Sequence, residues 1–252
     1  MTGIRWTTPT MHEAPANKVP GRRLIVNADD FGRSPGVNSG VIRAFEGGIV
    51  TSASMMVLWP AAVEAADFVR RHASLGLGLH LDLGEWSYAD GGWFPVYEVA
   101  STDEAGEVAE EASRQLDIFR TLIGRDPTHL DSHQHAHRRE PVRSVLLGLS
   151  RRLAIPLRQY SVHVGYCGSF YGQTSLGEPL PEAISVEALI GILSALPQGV
   201  TELACHPGLS EDLETGYLRE RAREVDTLCD PRVRAAIDNE GIELTSFFSE
   251  RA

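Results

Sequence analysis

Short apolar runs alternate with longer amphipathic stretches along most of the 252-residue chain. Runs of β-branched and other apolar residues predict buried strands, and apolar residues spaced three or four positions apart predict helices. The strands are expected at residues 24–26, 49–58, 75–83, 128–131, 157–164, 201–205 and 242–247. The helices are expected at residues 34–46, 60–72, 105–122, 140–153, 185–196 and about 218–228. This alternation indicates a parallel sheet that is covered by helices.

The first strand is followed by a helix with clear signals at both ends and not by a glycine-rich phosphate loop. Ser34 is a suitable N-cap, Pro35 fits the first helical position, and Gly47 and Gly48 end the apolar periodicity. We therefore expect a (β/α)-barrel, irregular or incomplete and with about seven strands, in preference to an open nucleotide-binding sheet.

The length and composition favour one domain. A chain of this length with 42% hydrophobic residues can bury one large core, and α/β barrels of this size are commonly single domains. We expect this domain to cover residues 21–252. Residues 1–20 contain Pro9, Pro15 and Pro20 and lack the hydrophobic segment of a signal peptide, which predicts a flexible N-terminal extension.

Charge and cysteine content restrict the partners and the compartment. The formal net charge of -11 argues against nucleic acid and anionic membrane surfaces, because both favour Lys and Arg on the binding face. No apolar stretch approaches the roughly 20 residues that span a bilayer. Cys167, Cys205 and Cys229 are too few and too scattered for a disulfide framework, so a reducing, cytoplasmic location is expected. A homodimer is compatible with the sequence.

Polar side chains follow several predicted strands at the point where each strand ends. Asp29 and Asp30 come after the first strand, and histidines end the later ones. Barrel enzymes place their chemistry at such carboxyl ends. One carboxylate and two imidazoles suit a divalent cation such as zinc, and Asp30, His80 and His133 are the candidates. His135 is the alternative to His133, because the two would share a face in an extended segment.

Two polar segments contain an unusual density of aromatic residues. Residues 84–102 and 165–181 are predicted as loops near the strand ends, where rings could stack on a sugar and form a lid or wall. Burial in the core is the alternative. The candidate substrate-binding residues are Trp86, Trp93, Phe170, Tyr171 and Arg158. We interpret Tyr217, Arg221 and Glu224 as a solvated helix face. The alternative is that these three residues, together with Arg158, close the site or pair at an interface.

Six motifs between residues 22 and 248 carry a family resemblance. They are Asn-Ala-Asp-Asp-Phe-Gly at 27–32, Val-Thr-Ser at 50–52, Gly-Leu-His-Leu at 78–81, Thr-His-Leu-Asp-Ser-His-Gln-His at 128–135, Phe-Tyr-Gly at 170–172 and Cys-His-Pro-Gly at 205–208. Together they resemble the YdjC-like family of carbohydrate deacetylases, the ChbG/HpnK group. The resemblance implies a (β/α)-barrel related to NodB-type polysaccharide deacetylases and hydrolysis of an N-acetyl group on an amino sugar.

The resemblance also implies a role for each matching residue. Asp30, His80 and His133 would hold a divalent metal ion, Mg or Zn, while Asp29 would be the base and His206 the acid. A hydrogen-bonding role for Asp29 and a turn role for His206 are the alternatives. The sequence departs from the chitooligosaccharide-type members at residues 81–86, where it reads Leu-Asp-Leu-Gly-Glu-Trp in place of a Thr-containing stretch.

The expected substrate is a small N-acetylated sugar, either an N-acetylglucosamine oligosaccharide or a conjugate. Asp131 is expected to orient a ligand imidazole, with His135 beside the same site. A metal-dependent phosphoesterase is one alternative, although the motifs are poor in the Lys and Arg that a phosphate normally needs. A non-catalytic metal- or carbohydrate-binding homologue is the other, although Asp29 and His206 are both present.

Overall fold

A parallel sheet covered by helices lies at the centre of the protein. The computed structural model describes residues 21–209, 212–213 and 215–249, so the extension predicted at residues 1–20 lies outside the described residues. The strands are β1 (Arg22–Phe31), β2 (Ser52–Met55), β3 (Gly76–Leu81), β4 (Gly84–Ala89), β5 (Gly92–Glu98), β6 (Leu130–Ser132), β7 (Val164–Cys167), β8 (Gly199–Cys205) and β9 (Glu243–Leu244). The helices are α1 (Pro35–Gly47), α2 (Ala62–Arg71), α3 (Ala105–Ile123), α4 (Val142–Leu153), α5 (Val186–Ser194), α6 (Arg219–Leu228) and α7 (Pro231–Asn239).

The main sheet has seven strands, in the order β6-β3-β2-β1-β8-β7 with β9 also paired to β1. All of these pairings are parallel. Beside the edge strand β6, Leu157 forms one further parallel bridge with Leu130. The sheet is a curled half-barrel flanked by helices, which confirms the predicted α/β class and the irregular barrel.

Residues along β1 alternate between two environments. Leu24 and Val26 belong to the main apolar core, whereas Ile25 belongs to a second, smaller apolar cluster. Because successive side chains of a strand point to opposite faces, Asn27 and Asp29 continue the face of Ile25. The main core therefore lies on one face of the sheet, and buried polar side chains lie on the other, which we call the inner face.

Gly78 of β3 leaves space for a histidine on this inner face. A Cβ at Gly78 would overlap the imidazole ring of His129. That ring is fully buried and stacks on Phe247, with the ring centroids 3.8 Å apart. The close approach of β3 to the His129 ring therefore requires glycine at residue 78.

The first helix begins as predicted and ends one residue later than predicted. The Ser34 hydroxyl accepts a hydrogen bond from the Val37 N–H at 3.1 Å, and Pro35 lies in the first turn. Gly48 follows the last helical residue. The N-cap and proline signals thus predicted the start of α1 to the residue.

Residues 84–98 form an antiparallel hairpin, so the prediction of a loop there was wrong. Strands β4 and β5 pair from Gly84–Glu98 to Ala89–Gly92. The turn between them is Asp90-Gly91, and both residues have positive φ, 49° and 81°. Asp-Gly favours this type I′ geometry, so the turn signal was present in the sequence.

Other predicted elements also differ from the structure. Residues 157–164 do not form a strand, because only Leu157 makes a bridge and β7 begins at Val164. The loop predicted at residues 165–181 therefore starts inside β7. Helix α7, capped by Asp230, was not predicted. Among the described helices, none is both long enough and apolar enough to cross a membrane.

Candidate metal centre

An irregularity in β1 brings two adjacent carboxylates to the same imidazole. Neighbouring side chains of a regular strand would face opposite sides of the sheet. The pairing of β1 with β2 shifts register between Ala28 and Phe31, and Asp30 has a left-handed φ of 65°. Both Asp29 and Asp30 consequently reach the imidazole of His80. Such bulges re-aim side chains next to functional sites.

Asp30, His80 and His133 form a group that could hold a metal ion. Their ligand atoms all lie within 4.8 Å of one another. Oδ1 of Asp30 lies 3.3 Å from Nε2 of His80 and 3.1 Å from Nδ1 of His133. One carboxylate and two imidazoles form a donor set that suits zinc and other borderline divalent cations. The three candidate ligands from the sequence therefore lie together.

His135 lies apart from this group. Residues His133–Arg138 form a 3-10 turn, in which Gln134 and His135 have positive φ values of 48° and 53°. The segment is therefore not extended, and His133 and His135 do not share a face. His135 instead places Nε2 at 3.2 Å from the Tyr166 hydroxyl.

A carboxylate contacts the second nitrogen of each imidazole. Nδ1 of His80 lies 2.8 Å from Asp131, and Nε2 of His133 lies 3.4 Å from Glu85. Burial alone would lower both imidazole pKa values, but the charge and hydrogen bond of Asp131 raise the pKa of His80 to about 10. The charge and hydrogen bond of Asp30 raise the pKa of His133 to about 9 against the same burial. The surroundings of both rings therefore favour a bound positive charge.

Arg221 of α6 holds the other oxygen of Asp30. Its Nη2 donates to Oδ2 at 2.6 Å. Burial opposes ionisation of Asp30, but the charges of Arg221 and His133 keep its pKa well below the usual range. Arg221 and Glu224 are buried on the inward side of α6, and Tyr217 is buried just before it, so their interpretation as a solvated face was wrong.

Arg158 lies behind the two aspartates and contacts three buried carboxylates. It donates two hydrogen bonds to Asp29, at 2.6 and 2.7 Å, and lies 2.7 Å from both Asp131 and Glu202. Burial opposes ionisation of Asp29, but the charge and hydrogen bonds of Arg158 lower its pKa. The side chain of Arg158 has 0% exposure, so its assignment to substrate binding was wrong.

His206 follows β8 in a turn that packs closely on two helices. A Cβ at Gly40 of α1 would overlap Gly208, and a Cβ at Gly208 would approach the Arg221 side chain at 3.0 Å. This packing places Nε2 of His206 at 3.7 Å from Oδ2 of Asp29. Burial lowers the pKa of His206 to about 4, and its Nδ1 has no hydrogen-bond partner among the described residues.

The aromatic candidates lie in different environments. Phe170 is fully buried in the main core, so its assignment to a substrate wall was wrong. Tyr171 is half-buried, stacks on Tyr217 at 4.5 Å and lies 5.3 Å from the His206 ring. Trp86 is half-buried on β4, and Trp93 is 57% exposed on β5. Tyr171 is thus the aromatic candidate in contact with a predicted catalytic side chain.

The sequence reasoning missed a polar network on the inner face. Asn27 donates to Asp29 at 2.9 Å and to Ser54 at 2.8 Å, and Ser54 donates to Asp131 at 2.6 Å. Asn27 on β1 and Ser54 on β2 each lie between two apolar residues, which is the two-residue period of a strand whose faces differ. That period was a usable signal for them, whereas nothing local indicated the pairing of Arg221 with Asp30.

Comparison with known proteins gives consistent matches over nearly the whole chain. A family model described as YdjC-like protein matches residues 23–239. A carbohydrate deacetylase of Geobacillus stearothermophilus is 33% identical over 249 residues, which cover 90% of this chain and 97% of the relative. A chitooligosaccharide deacetylase of Serratia marcescens is 31% identical over 258 residues, which cover 89% of this chain and 97% of the relative.

Solved structures show the same fold. A crystal structure from Enterococcus faecalis V583, provisionally described as a cellobiose-phosphate cleavage protein, matches with a TM-score of 0.75 and 28% identity over 92% of this chain and 100% of the other. A family 4 carbohydrate esterase from Streptomyces lividans, in complex with acetate, matches with a TM-score of 0.52 and 14% identity over 92% and 97% of the chains. The second match shows that this chain shares its fold with that family 4 carbohydrate esterase.

Proposed function

The chain belongs to the YdjC-like protein family, and we propose that it is a metal-dependent hydrolase that removes the N-acetyl group from a small amino sugar. Relatives that are named carbohydrate deacetylase and chitooligosaccharide deacetylase support the reaction class. The observation that carries the proposal is the convergence of a metal-ligand group with a further carboxylate and a further imidazole at one place in the fold. The ligand group consists of Asp30, His80 and His133. Asp29 is the further carboxylate and His206 is the further imidazole.

The donor set fits the metal that this chemistry needs. Asp30, His80 and His133 would hold a divalent cation, Mg or Zn, because each presents an atom to the same small volume. When bound, such a cation would supply Lewis acidity, which polarises an amide carbonyl and lowers the pKa of water. Asp131 orients His80 through its Nδ1 and so fixes which nitrogen faces Asp30.

Asp29 is the proposed base. Arg158 and Asn27 hold its carboxylate in one orientation on the inner face. Its Oδ2 would accept a proton from the attacking water. The lowered pKa of Asp29 keeps this carboxylate ionised and available at neutral pH.

His206 is the proposed acid, and it works with Asp29. Its Nε2 lies 3.7 Å from Asp29 Oδ2, so a proton taken up on the carboxylate is close to the imidazole. Because burial lowers the pKa of His206 to about 4, the ring is neutral at rest and would receive its proton during the reaction. It would then protonate the departing sugar amine, and release of the amine product and acetate would complete the reaction.

The aromatic side chains would bind the sugar. Tyr171 lies beside the ring of His206, and the backbone of Trp86 is hydrogen-bonded to the side chain of Gln134, the residue after His133. Flat rings stack on the apolar face of a pyranose and favour an uncharged sugar over a polyanion. Trp93 is more exposed and would contact a more distant unit of an oligosaccharide. We expect activity on soluble oligosaccharides of a few units or on conjugates, and little on insoluble chitin.

Phosphate-ester hydrolysis is the weaker alternative. Arg33, Arg158 and Arg221, the buried arginines among the described residues around the site, are each paired with a buried carboxylate. A phosphate would have to compete with those carboxylates. The provisional description of the Enterococcus faecalis relative nevertheless makes a phosphate-release control necessary.

The test measures acetate and phosphate in parallel. The purified chain, loaded with Mg or Zn, is incubated with soluble N-acetylglucosamine oligosaccharides, N-acetylglucosaminyl conjugates and sugar phosphates. Acetate release that a chelator abolishes and added cation restores would support the proposal. If no soluble N-acetylated sugar loses an acetyl group although the metal is confirmed in the protein, the proposal is contradicted.

Asp29→Asn separates the base from a structural acceptor. Asparagine keeps the size and hydrogen-bonding reach but cannot accept the proton, so kcat should fall by about 10²–10⁴ with metal content unchanged. Asp126→Asn, which changes an exposed aspartate paired with Arg120, is the matched control and should keep full activity. Equal loss of metal and activity in Asp29→Asn would instead make Asp29 a ligand.

A further inference from the structure

Glu85 is a buried carboxylate whose partners come from three separate parts of the chain. It lies on β4 and is 4% exposed. Oε2 accepts a hydrogen bond from Arg33 at 2.8 Å and lies 3.4 Å from Nε2 of His133. Oε1 accepts from the hydroxyl of Thr215 at 2.8 Å. The carboxylate therefore joins the hairpin, the β1–α1 connection, the 3-10 turn and the segment before α6.

The contact between Glu85 and His133 resembles the contact between Asp131 and His80. Each imidazole turns one nitrogen towards Oδ1 of Asp30 and the other towards a carboxylate. A ligand imidazole must present a lone pair to the metal, and a carboxylate on its second nitrogen fixes the tautomer and the ring orientation and raises ligand basicity. Glu85 occupies the position relative to His133 that Asp131 occupies relative to His80.

From this geometry we infer that Glu85 is a positioning residue that orients His133 for metal binding. The inference rests on the proposed function, because it assumes that His133 is a ligand. Asp131 belongs to the main sheet, whereas Glu85 belongs to the β4–β5 hairpin. The orientation of His133 therefore depends on a segment that lies outside the main sheet.

Arg33 offers a competing explanation for the burial of Glu85. Its guanidinium pairs with Glu85 and lies over the rings of Trp59 and Tyr97, at 4.2 and 4.8 Å from their centroids. A carboxylate that served only to neutralise Arg33 would have no effect specific to metal binding. The experiment must therefore read the metal site directly.

Cobalt(II) titration of the full chain provides that reading. The dissociation constant is measured by calorimetry, and the visible spectrum of the bound ion reports its coordination. Glu85→Gln keeps the shape but removes the charge, and it should weaken Co(II) binding by about 10–100-fold and shift the spectrum. Thr215→Val is the matched control, because it removes the contact to Oε1 and leaves Oε2 facing His133, so its Co(II) affinity should stay close to the wild-type value.

A double-mutant cycle separates positioning from a general structural effect. In a His133→Ala background the ring is absent, so adding Glu85→Gln should cause no further loss of Co(II) affinity. If Glu85→Gln fails to fold, Glu85→Asp carries the same expectation, because the shorter side chain keeps the charge but withdraws it from the ring.

The possible outcomes distinguish this inference from the proposed function. Unchanged Co(II) affinity and spectrum in Glu85→Gln, or equal losses with and without His133, would overturn the role of Glu85 whatever the activity. Failure of the wild-type chain to bind Co(II) would overturn it as well. A protein that binds Co(II) through Glu85-oriented His133 but releases no acetate would keep the inference and refute the deacetylase proposal.

Discussion

Replacement of Arg158 by methionine tests the electrostatic balance on which the site depends. The guanidinium lies between Asp29, Asp131 and Glu202, within 2.6–2.8 Å of each, and its side chain has no exposed surface. Methionine is also long and unbranched, so it can fill much of the same space. The main effect of Arg158→Met is therefore the loss of the cation.

The expected loss of folding free energy follows from the burial of Arg158 and of its three carboxylate partners. Removing one partner of a buried ion pair leaves an uncompensated charge and typically costs about 3–5 kcal/mol. The three carboxylates share one cation, so their contributions do not add, and we expect a loss of that size for the whole cluster. A change of about 3–5 kcal/mol in a chain of this length corresponds to a fall in Tm of about 6–20 °C.

The dependence on pH gives the prediction a sign. In the wild-type protein Arg158 lowers the pKa values of Asp29 and Asp131, against burial, so their stabilising contribution is present above an unfolded pKa of about 3.9 and is lost as the pH falls. Without the cation, burial raises these pKa values, and ionised carboxylates destabilise the fold. The deficit of Arg158→Met should therefore be larger at pH 8 than at pH 5.5.

Urea denaturation followed by circular dichroism at both pH values measures this deficit. Arg232→Met is the matched control, because Arg232 is 60% exposed and pairs with Asp230 and Glu187 at the surface. It should leave the free energy of unfolding close to the wild-type value. The charge argument would be refuted if Arg158→Met had the same free energy of unfolding as the control. It would also be refuted if the loss of stability in Arg158→Met became larger towards low pH.

Two further predictions follow from other contacts. Gly78→Ala would force a Cβ into the buried His129 ring and should lower the free energy of unfolding by about 1–3 kcal/mol, as measured by thermal melting. Gly148 lies in open space on α4, so Gly148→Ala is the control and should not destabilise the protein. Equal Tm values for the two variants would contradict the packing argument. The pKa values of His80 and His133 are raised to about 10 and about 9, so a metal ion must displace protons from both imidazoles. The affinity for Co(II) should therefore fall as the pH is lowered from 9 to 6. A dissociation constant that does not depend on pH would contradict this prediction.

Local signals predicted the scaffold but not its exact edges. Apolar periodicity identified the strands at the centre of the sheet, and Ser34 and Pro35 fixed the start of α1. The β4–β5 hairpin was missed because its strands alternate only weakly, although Asp90-Gly91 is a strong turn signal. Residues 157–164 are apolar enough for a strand, yet only Leu157 and Val164 pair, and Gln159 between them has a left-handed φ of 65° that breaks the extended conformation.

Site residues were predictable where strand ends bring them together. Asp30 and His80 lie at the carboxyl ends of β1 and β3, two parallel strands of one curled sheet that are separated only by β2, so their convergence follows from topology. The choice between His133 and His135 depended on a 3-10 turn with left-handed residues, which spacing does not encode. The contact between Arg221 and Asp30 joins residues 191 positions apart, and only the tertiary fold creates it.

The placement of charges explains why the fold needs such distant cations. Among the residues that the structure describes, six buried carboxylates lie around the two ligand imidazoles and three buried arginines. The carboxylates are Asp29, Asp30, Glu85, Asp131, Glu202 and Glu224, and the arginines are Arg33, Arg158 and Arg221. Carboxylates thus outnumber guanidinium groups two to one, and burial makes the surplus negative charge costly.

Protons and a metal ion are the two ways to neutralise this surplus. Burial raises the pKa of Glu202 to about 7 and that of Glu224 to about 8, so each can hold a proton near neutral pH. The raised pKa values of His80 and His133 have the same origin in the surrounding carboxylates. A divalent cation at Asp30 would replace the protons on the imidazoles and leave those on the two glutamates. Metal affinity and the protonation of this cluster are therefore linked, because the imidazoles must lose their protons before they can bind the cation.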